Sequence, residues 1–184
     1  MKEYHLDNQA KKEALMIART TLVEFLSKGK IPLVAPKNEI LLKPMGAFIT
    51  LRNKNELRGC IGQIETKKPL YKTIQEMAIS SATKDPRFLP VTAKELGKIT
   101  IEVSVLTPPK KVTRWQEIKL GVHGVIVEKG WNKGVFLPQV ATETGWDLQQ
   151  FLSALCCEKA DLSPDCYKDP QSNLYIFEAQ VFEE

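Results

Sequence analysis

No stretch of this sequence stays apolar long enough to cross a bilayer, which takes about 20 consecutive apolar residues in a helix. The N-terminal residues Met1-Lys2-Glu3-Tyr4-His5 are polar and lack the charged-then-apolar order of a signal peptide. A soluble, cytoplasmic protein is expected, with no membrane among its partners. Histidine is scarce, with two residues far apart, and no Cys-x-x-Cys pair occurs. A structural zinc site is therefore not expected, and no metal is assigned. The four cysteines, Cys60, Cys156, Cys157 and Cys166, are expected to be free thiols in a reducing compartment. Adjacent Cys156 and Cys157 leave different parts of a helix surface, a poor arrangement for one metal. A phosphate-binding glycine loop, a dinucleotide fingerprint, a serine-hydrolase elbow and a His-Glu-x-x-His motif are all missing, so the cofactor is unknown. An excess of one charge is missing too. Lys and Arg number 26 against 22 Asp and Glu, and the net +4 is spread along the chain. Without a basic stripe, nucleic acid is not an expected partner.

What is present is ordinary globular material: 43 % hydrophobic and 26 % charged residues in 184. That length suits one domain, or two small lobes sharing a core. Residues 7–28 read as a helix with Asp7 as cap and Gly29 as stop, and Leu15, Ala18, Leu22, Phe25 and Leu26 at helical spacing. Ala47–Leu51, a turn at residues 53–56 and Leu57–Ile64 read as a hairpin. Pro69–Thr83 reads as a helix ended by Asp85-Pro86, because a residue before proline avoids the helical region. Thr92 and Glu95 have capping-box spacing, and Ile99, Ile101, Val103 and Val105 alternate through a strand that stops at Pro108-Pro109.

The second half repeats the order. A hairpin at residues 125–137 precedes a helical stretch from about Gln139 to Lys159, interrupted at Gly145. Lys168-Asp169-Pro170 then echoes Lys84-Asp85-Pro86, and a strand follows from Leu174 to Phe182. The expectation is α+β: residues 1–184 as one domain with two internal lobes, about 46–106 and 124–182, plus the N-terminal helix. Each lobe is a duplicated β-β-α-β unit, with mostly antiparallel sheets flanked by helices.

Leu57-Arg58-Gly59-Cys60-Ile61-Gly62 is an odd strand, since glycine weakens a strand unless something must approach it closely. By alternation Arg58, Cys60 and Gly62 face one way, and Leu57, Gly59 and Ile61 the other. A guanidinium beside a thiol favours thiolate and holds anions. The plainer reading is a small buried side chain at Cys60. His123 opens a strand and can move protons near neutral pH, or simply bond a loop carbonyl. Glu102 faces away from Ile101 and Val103, to orient a histidine, to bind a cation or to sit solvated. Asp85–Pro90 reads as a rigid structural turn from which Arg87 can reach a site.

The same hexapeptide, Leu57–Gly62, resembles the hallmark of the AMMECR-one domain family without change. Gly46-Ala47-Phe48, Asp85-Pro86-Arg87-Phe88, Glu102–Leu106, Gly121–Gly124, Leu137–Ala141 and the Trp146 helix match in order, from about residue 8 onward. Thr83-Lys84 is a modest departure, in a segment that is often smaller and less charged. The resemblance implies an α+β fold of two lobes but delivers no reaction, metal or cofactor. It implies Memo-like and radical-SAM proteins as partners, in the AmmeMemoRadiSam grouping. It marks Arg58, Gly59, Cys60 and Gly62 as the best site candidates, with Glu102 and His123 at matching motif positions.

Two functions of different class fit. In one, a thiol-dependent enzyme acts on a small anionic substrate, with Cys60 as nucleophile or redox thiol, Arg58 binding the anion, His123 moving protons and Glu102 orienting it. In the other, a non-catalytic binding or adaptor module lays the glycine-rich strand against a ligand or partner. Whether the protein is an enzyme is left open at this stage.

Overall fold

A computed structural model describes residues 2–184, and the chain divides into two compact units. The first runs to Pro108 and takes back Gln180–Glu184; the second is Pro109–Ala179.

In the first unit, α1 spans Asn8–Lys28. The Asp7 carboxylate accepts the Ala10 amide at 2.8 Å, satisfying one of the free N–H groups at the helix start. Gly29 takes the left-handed conformation, φ 67°, and its amide returns to the Phe25 carbonyl. The most buried stripe is Ala10, Ala14, Ile17, Ala18, Thr21 and Leu22, with Leu15 and Leu26 only at its margin. The sequence reading was weighted toward large residues, whereas alanines occupy the positions of closest packing.

β1 (Gly46–Asn53) and β2 (Glu56–Gln63) form a hairpin closed by Lys54 and Asn55, both at positive φ, as a tight turn of the primed kind requires. α2 (Leu70–Thr83) follows, then a 3-10 turn (Ala93–Lys98) with the Thr92–Glu95 capping box, and β3 (Ile99–Leu106). The strand order is β2-β1-β3, all antiparallel. Ala47, Ile49, Leu51, Ile101, Val103 and Val105 form the face buried under α1 and α2. Phe48, Thr50, Arg52, Cys60, Glu102 and Ser104 take the opposite face by pleat and register.

The second unit opens with a short strand that the sequence reading missed, β4 (Lys110–Val112), immediately after the Pro108-Pro109 stop. β5 (His123–Lys129), β6 (Asn132–Phe136), α3 (Pro138–Thr144), α4 (Leu148–Ala154) with a π-helical turn (Leu155–Lys159), and β7 (Asn173–Glu183) complete it. Gly145, φ 68°, separates the two helices, and Asp147 restarts the second by accepting the Gln150 amide at 2.9 Å. Within the second unit β5 pairs with β6 on one side and with β7 on the other. Both sheets therefore put the first hairpin strand in the middle, and the β-β-α-β order is present twice.

One expectation is overturned here. Cys156 and Cys166 are not free thiols but a buried disulfide, their Cα atoms 6.0 Å apart. The π turn carries Cys156 inward to the 3-10 turn Cys166–Lys168, and Cys157 is turned outward, exposed and free. A separation of ten residues gave no sign of this, because connectivity depends on where two turns meet.

Candidate functional site

The hairpin register is interrupted at Leu51/Arg52. Arg52 pairs with Leu57, but Leu51 pairs with Gly59, so Arg58 is an extra residue, a β-bulge. This corrects the simple alternation: Leu57 lies opposite Arg52, on the same side as Cys60 opposite Thr50. Arg58 is turned aside. Its Nε donates to Glu95 Oε1 at 3.0 Å and its Nη1 to the Leu89 carbonyl at 2.8 Å, with 17 % of the side chain exposed. The guanidinium proposed from sequence as an anion binder thus clasps the chain that leads into the 3-10 turn. Glu95 is held below the usual carboxylate range, chiefly by the Thr92 amide, with Arg58 adding to it.

The two glycines of the hexapeptide also serve the fold. A Cβ on Gly59 would overlap the Ser81 carbonyl of α2, and one on Gly62 would overlap the ring of Phe48. The close approach that the glycines permit is made, on the side a Cβ would take, by the protein's own helix and aromatic ring. Ser81 contributes further: its hydroxyl accepts the Ile61 amide at 3.0 Å and donates to the Ile49 carbonyl at 2.7 Å, bridging β1 and β2.

Cys60 is half-buried. Its Sγ lies 3.3 Å from Thr50 Oγ1, and its amide donates to Asp85 Oδ2 at 2.8 Å. Asp85, with 3 % of its side chain exposed, also takes Arg87 in a two-pronged pair: Nε to Oδ1 at 2.9 Å and Nη2 to Oδ2 at 2.7 Å. These bonds, Arg87 first, hold the Asp85 carboxyl far below its ordinary value against the opposing effect of burial. Arg87 in turn is held more firmly charged, mainly by Asp85, whose Oδ2 it shares with the Cys60 amide. Some 55 % of the Arg87 side chain is exposed, and its Nη1 end makes no hydrogen bond among the described residues.

Glu102 sits across β1 from Cys60: Thr50 pairs with Cys60 on one side and with Glu102 on the other. At a strand spacing of about 4.8 Å the two candidates share a face without touching. Glu102 is partnered loosely by Arg52 at 3.8 Å.

His123 belongs to the second unit, at the start of β5 opposite Glu178. It is 8 % exposed, and its Nδ1 accepts the Lys119 amide at 3.1 Å. Burial pushes its pKa below the ordinary 6.5; Lys119 pushes the same way, and Glu178 opposes. The neutral ring therefore staples the Lys119–His123 turn. No group of three or more His, Cys, Asp or Glu side chains among the described residues is arranged to hold a metal, and no helix there is long and apolar enough to cross a membrane.

Sequence reasoning underweighted Asp85 and Arg87 and passed over Thr50. An acid before proline with an arginine two residues on was legible as a turn, but its position against β2 was not.

The sequence profile of AMMECR1 matches residues 15–182. A protein of Methanothermobacter thermautotrophicus is 45 % identical over 192 aligned positions, covering 100 % of this chain and 99 % of its own. Protein MK0488 of Methanopyrus kandleri is 46 % identical, over 91 % of this chain and 85 % of its own. The crystal structure of the uncharacterized protein PH0010 from Pyrococcus horikoshii superposes with a TM-score of 0.77 at 42 % identity, over 93 % of this chain and 89 % of that one.

Proposed function

The chain belongs to the AMMECR1 family, and on that footing we propose that its functional centre is a thiol site at Cys60 that binds a small anionic electrophile. One observation carries the reading. Arg58, Gly59, Ile61 and Gly62 each have a task inside the fold, whereas the Cys60 thiol meets a hydroxyl, Thr50, and the Cys60 amide shares Asp85 Oδ2 with Arg87, a cation with a free end. A thiol kept in polar company, one shared acceptor away from a guanidinium, is placed to meet an electrophile that the cation holds. In this reading the Cys60 sulfur bonds to the electrophile as the bond to its leaving group breaks and the thiol proton passes to solvent, Arg87 takes the anion-holding role first given to Arg58, and Glu102 flanks the site across Thr50. His123 is left out, because its Nδ1 is committed to the Lys119 amide. The Memo-like and radical-SAM proteins implied by the family resemblance are the proposed partners for supplying or removing the ligand.

The test compares a charged and a neutral alkylating reagent of the same size, iodoacetate and iodoacetamide, in a Cys157→Ser background that leaves Cys60 as the one free thiol. Iodoacetate is expected to gain on iodoacetamide through Arg87, and Arg87→Ala to remove that gain by about tenfold. Equal rates for both reagents, unmoved by Arg87→Ala, would sink the proposal.

A binding-only role is a second reading, favoured by Leu89, 85 % exposed in the loop that carries Arg87. Partner capture surviving Cys60→Ala but lost in Leu89→Ser would select it.

A further inference from the structure

β4 and the 3-10 turn Trp115–Glu117 have no counterpart in the β-β-α-β repeat. β4 pairs with β7 along Leu174–Ile176, on the side away from β5. Together with the turn Cys166–Lys168 and the start of β7, they enclose a pocket of about 470 Å³. That volume lies in the range of small-molecule sites.

The wall is aromatic on one side. Trp115 and Tyr167 meet edge to face, their ring centroids 5.5 Å apart and their planes at 82°. Tyr167 is buried, with Lys168 Nζ 5.2 Å from its ring centroid, and it backs Trp115, whose half-buried indole offers the π surface for a flat ring. The charged residues of the lining are Lys111, Arg114, Lys168 and Asp169. Lys111 forms no ion pair among the described residues, and Arg114, with 77 % of its side chain exposed, reaches Glu117 only at 4.0 Å. Lys168 is occupied by Asp165 at 2.7 Å. The acid in the lining, Asp169, is also occupied: Lys129 Nζ lies 2.6 Å from its Oδ2, and the Gln171 amide 2.8 Å from its Oδ1. Lys111 is thus unpaired and Arg114 only loosely paired beside the aromatic wall, and the acid in the lining is already taken.

We propose that this pocket binds an aromatic phosphate: a planar ring laid against Trp115, which Tyr167 backs, with its phosphate held by Lys111 and Arg114. A dianionic phosphate matches two cations better than a single carboxylate does, and the arginine fork fits its oxygens. The Cys60 site plays no part in the argument.

Calorimetric titration at low salt tests it, with adenosine 5′-monophosphate as probe and adenosine and inorganic phosphate as its halves. The monophosphate is expected to bind at least about tenfold tighter than either half, and to weaken with added salt as screening predicts. Lys111→Gln and Arg114→Gln, both surface changes that leave the core intact, are each expected to cost about tenfold. Lys54→Gln, in the hairpin turn of the first unit, is expected to change nothing. No saturable binding up to roughly 10 mM would overturn the proposal. So would inorganic phosphate binding as well as the monophosphate, or affinity indifferent to both Lys111→Gln and Arg114→Gln.

Discussion

Ala47 pairs with Gln63 in the first unit as Val125 pairs with Phe136 in the second; further along the same ladders, Thr50 meets Cys60 and Glu128 meets Lys133. On the other side of each central strand stand Glu102 and Asn173. One rung holds a hydroxyl and a thiol 3.3 Å apart; the matching rung holds an ion pair at 2.7 Å. The aspartates of the two Asp-Pro turns repeat the contrast. Asp85 accepts the amide of Arg87 and, through its carbonyl, that of Phe88; Asp169 does the same for Gln171 and Ser172. The remaining oxygen differs: Asp85 ties down the backbone at Cys60, whereas Asp169 takes the ammonium of Lys129. A repeated scaffold thus carries polar side chains that satisfy one another in the second unit and a thiol that is not consumed in the first.

Glycine exchange is expected to strain the comparison most. Both second hairpin strands use a glycine where the following helix ends: Gly59 against the Ser81 carbonyl, Gly134 with a would-be Cβ 2.8 Å from the Ala160 amide nitrogen. Gly59→Ala forces backbone against backbone and is expected to cost about 3 kcal/mol or more, with Gly134→Ala costing less, both read from urea unfolding. Next comes the disulfide, which only the second unit has. Cys156→Ala with Cys166→Ala is expected to cost about 2–3 kcal/mol, localised to residues 109–179 by hydrogen exchange. The aspartates follow. Asp85→Ala leaves a buried amide and an arginine unpaired and is expected to cost about 2 kcal/mol; Asp169→Ala removes a solvent-screened pair and is expected to cost clearly less. Equal costs would erase the distinction drawn between the two turns.

The smallest effects are in pH. Folding holds Asp85 ionised, so its contribution is whole above the ordinary 3.8 and is lost as pH falls below that value toward the lower folded one. Folding holds His123 neutral, so nothing is lost above 6.5; below it the unfolded chain takes up the proton first and stability declines. Exchange protection should therefore weaken in the second unit at mildly acidic pH, before Asp85 begins to titrate in the first. His123→Gln is expected to remove the earlier step; its persistence would assign that step elsewhere.

The fold was legible because its signals are local. The Asp7 and Gly29 caps, the alternation from Ile99 to Val105 and the breaks at Pro86 and Gly145 each act within a few residues. The site was only half legible. The hexapeptide drew attention to Cys60, but a two-residue turn at Lys54-Asn55 predicts Thr50 opposite Gly59. The bulge at Arg58 moves that partner to Cys60, and no propensity marks which residue of a strand will be squeezed out. Arg58 and the glycines hid their partners for a related reason. Their spacing signals close approach and charge, but not whether helix, ring or ligand supplies the other half. The Asp85 contact joins segments 25 residues apart, and the disulfide depends on a π turn, both beyond periodicity.

The ring that covers Gly62 has a spectroscopic consequence. A hydrogen in place of the excluded Cβ lies against the aromatic plane of Phe48, where ring current shields a proton, and its resonance should move well upfield of an ordinary glycine. Gly124 stands in the same relation to Phe177 in the second unit. Each unit thus carries its own intrinsic label, and one-dimensional proton spectra recorded on heating would report which of the two melts first.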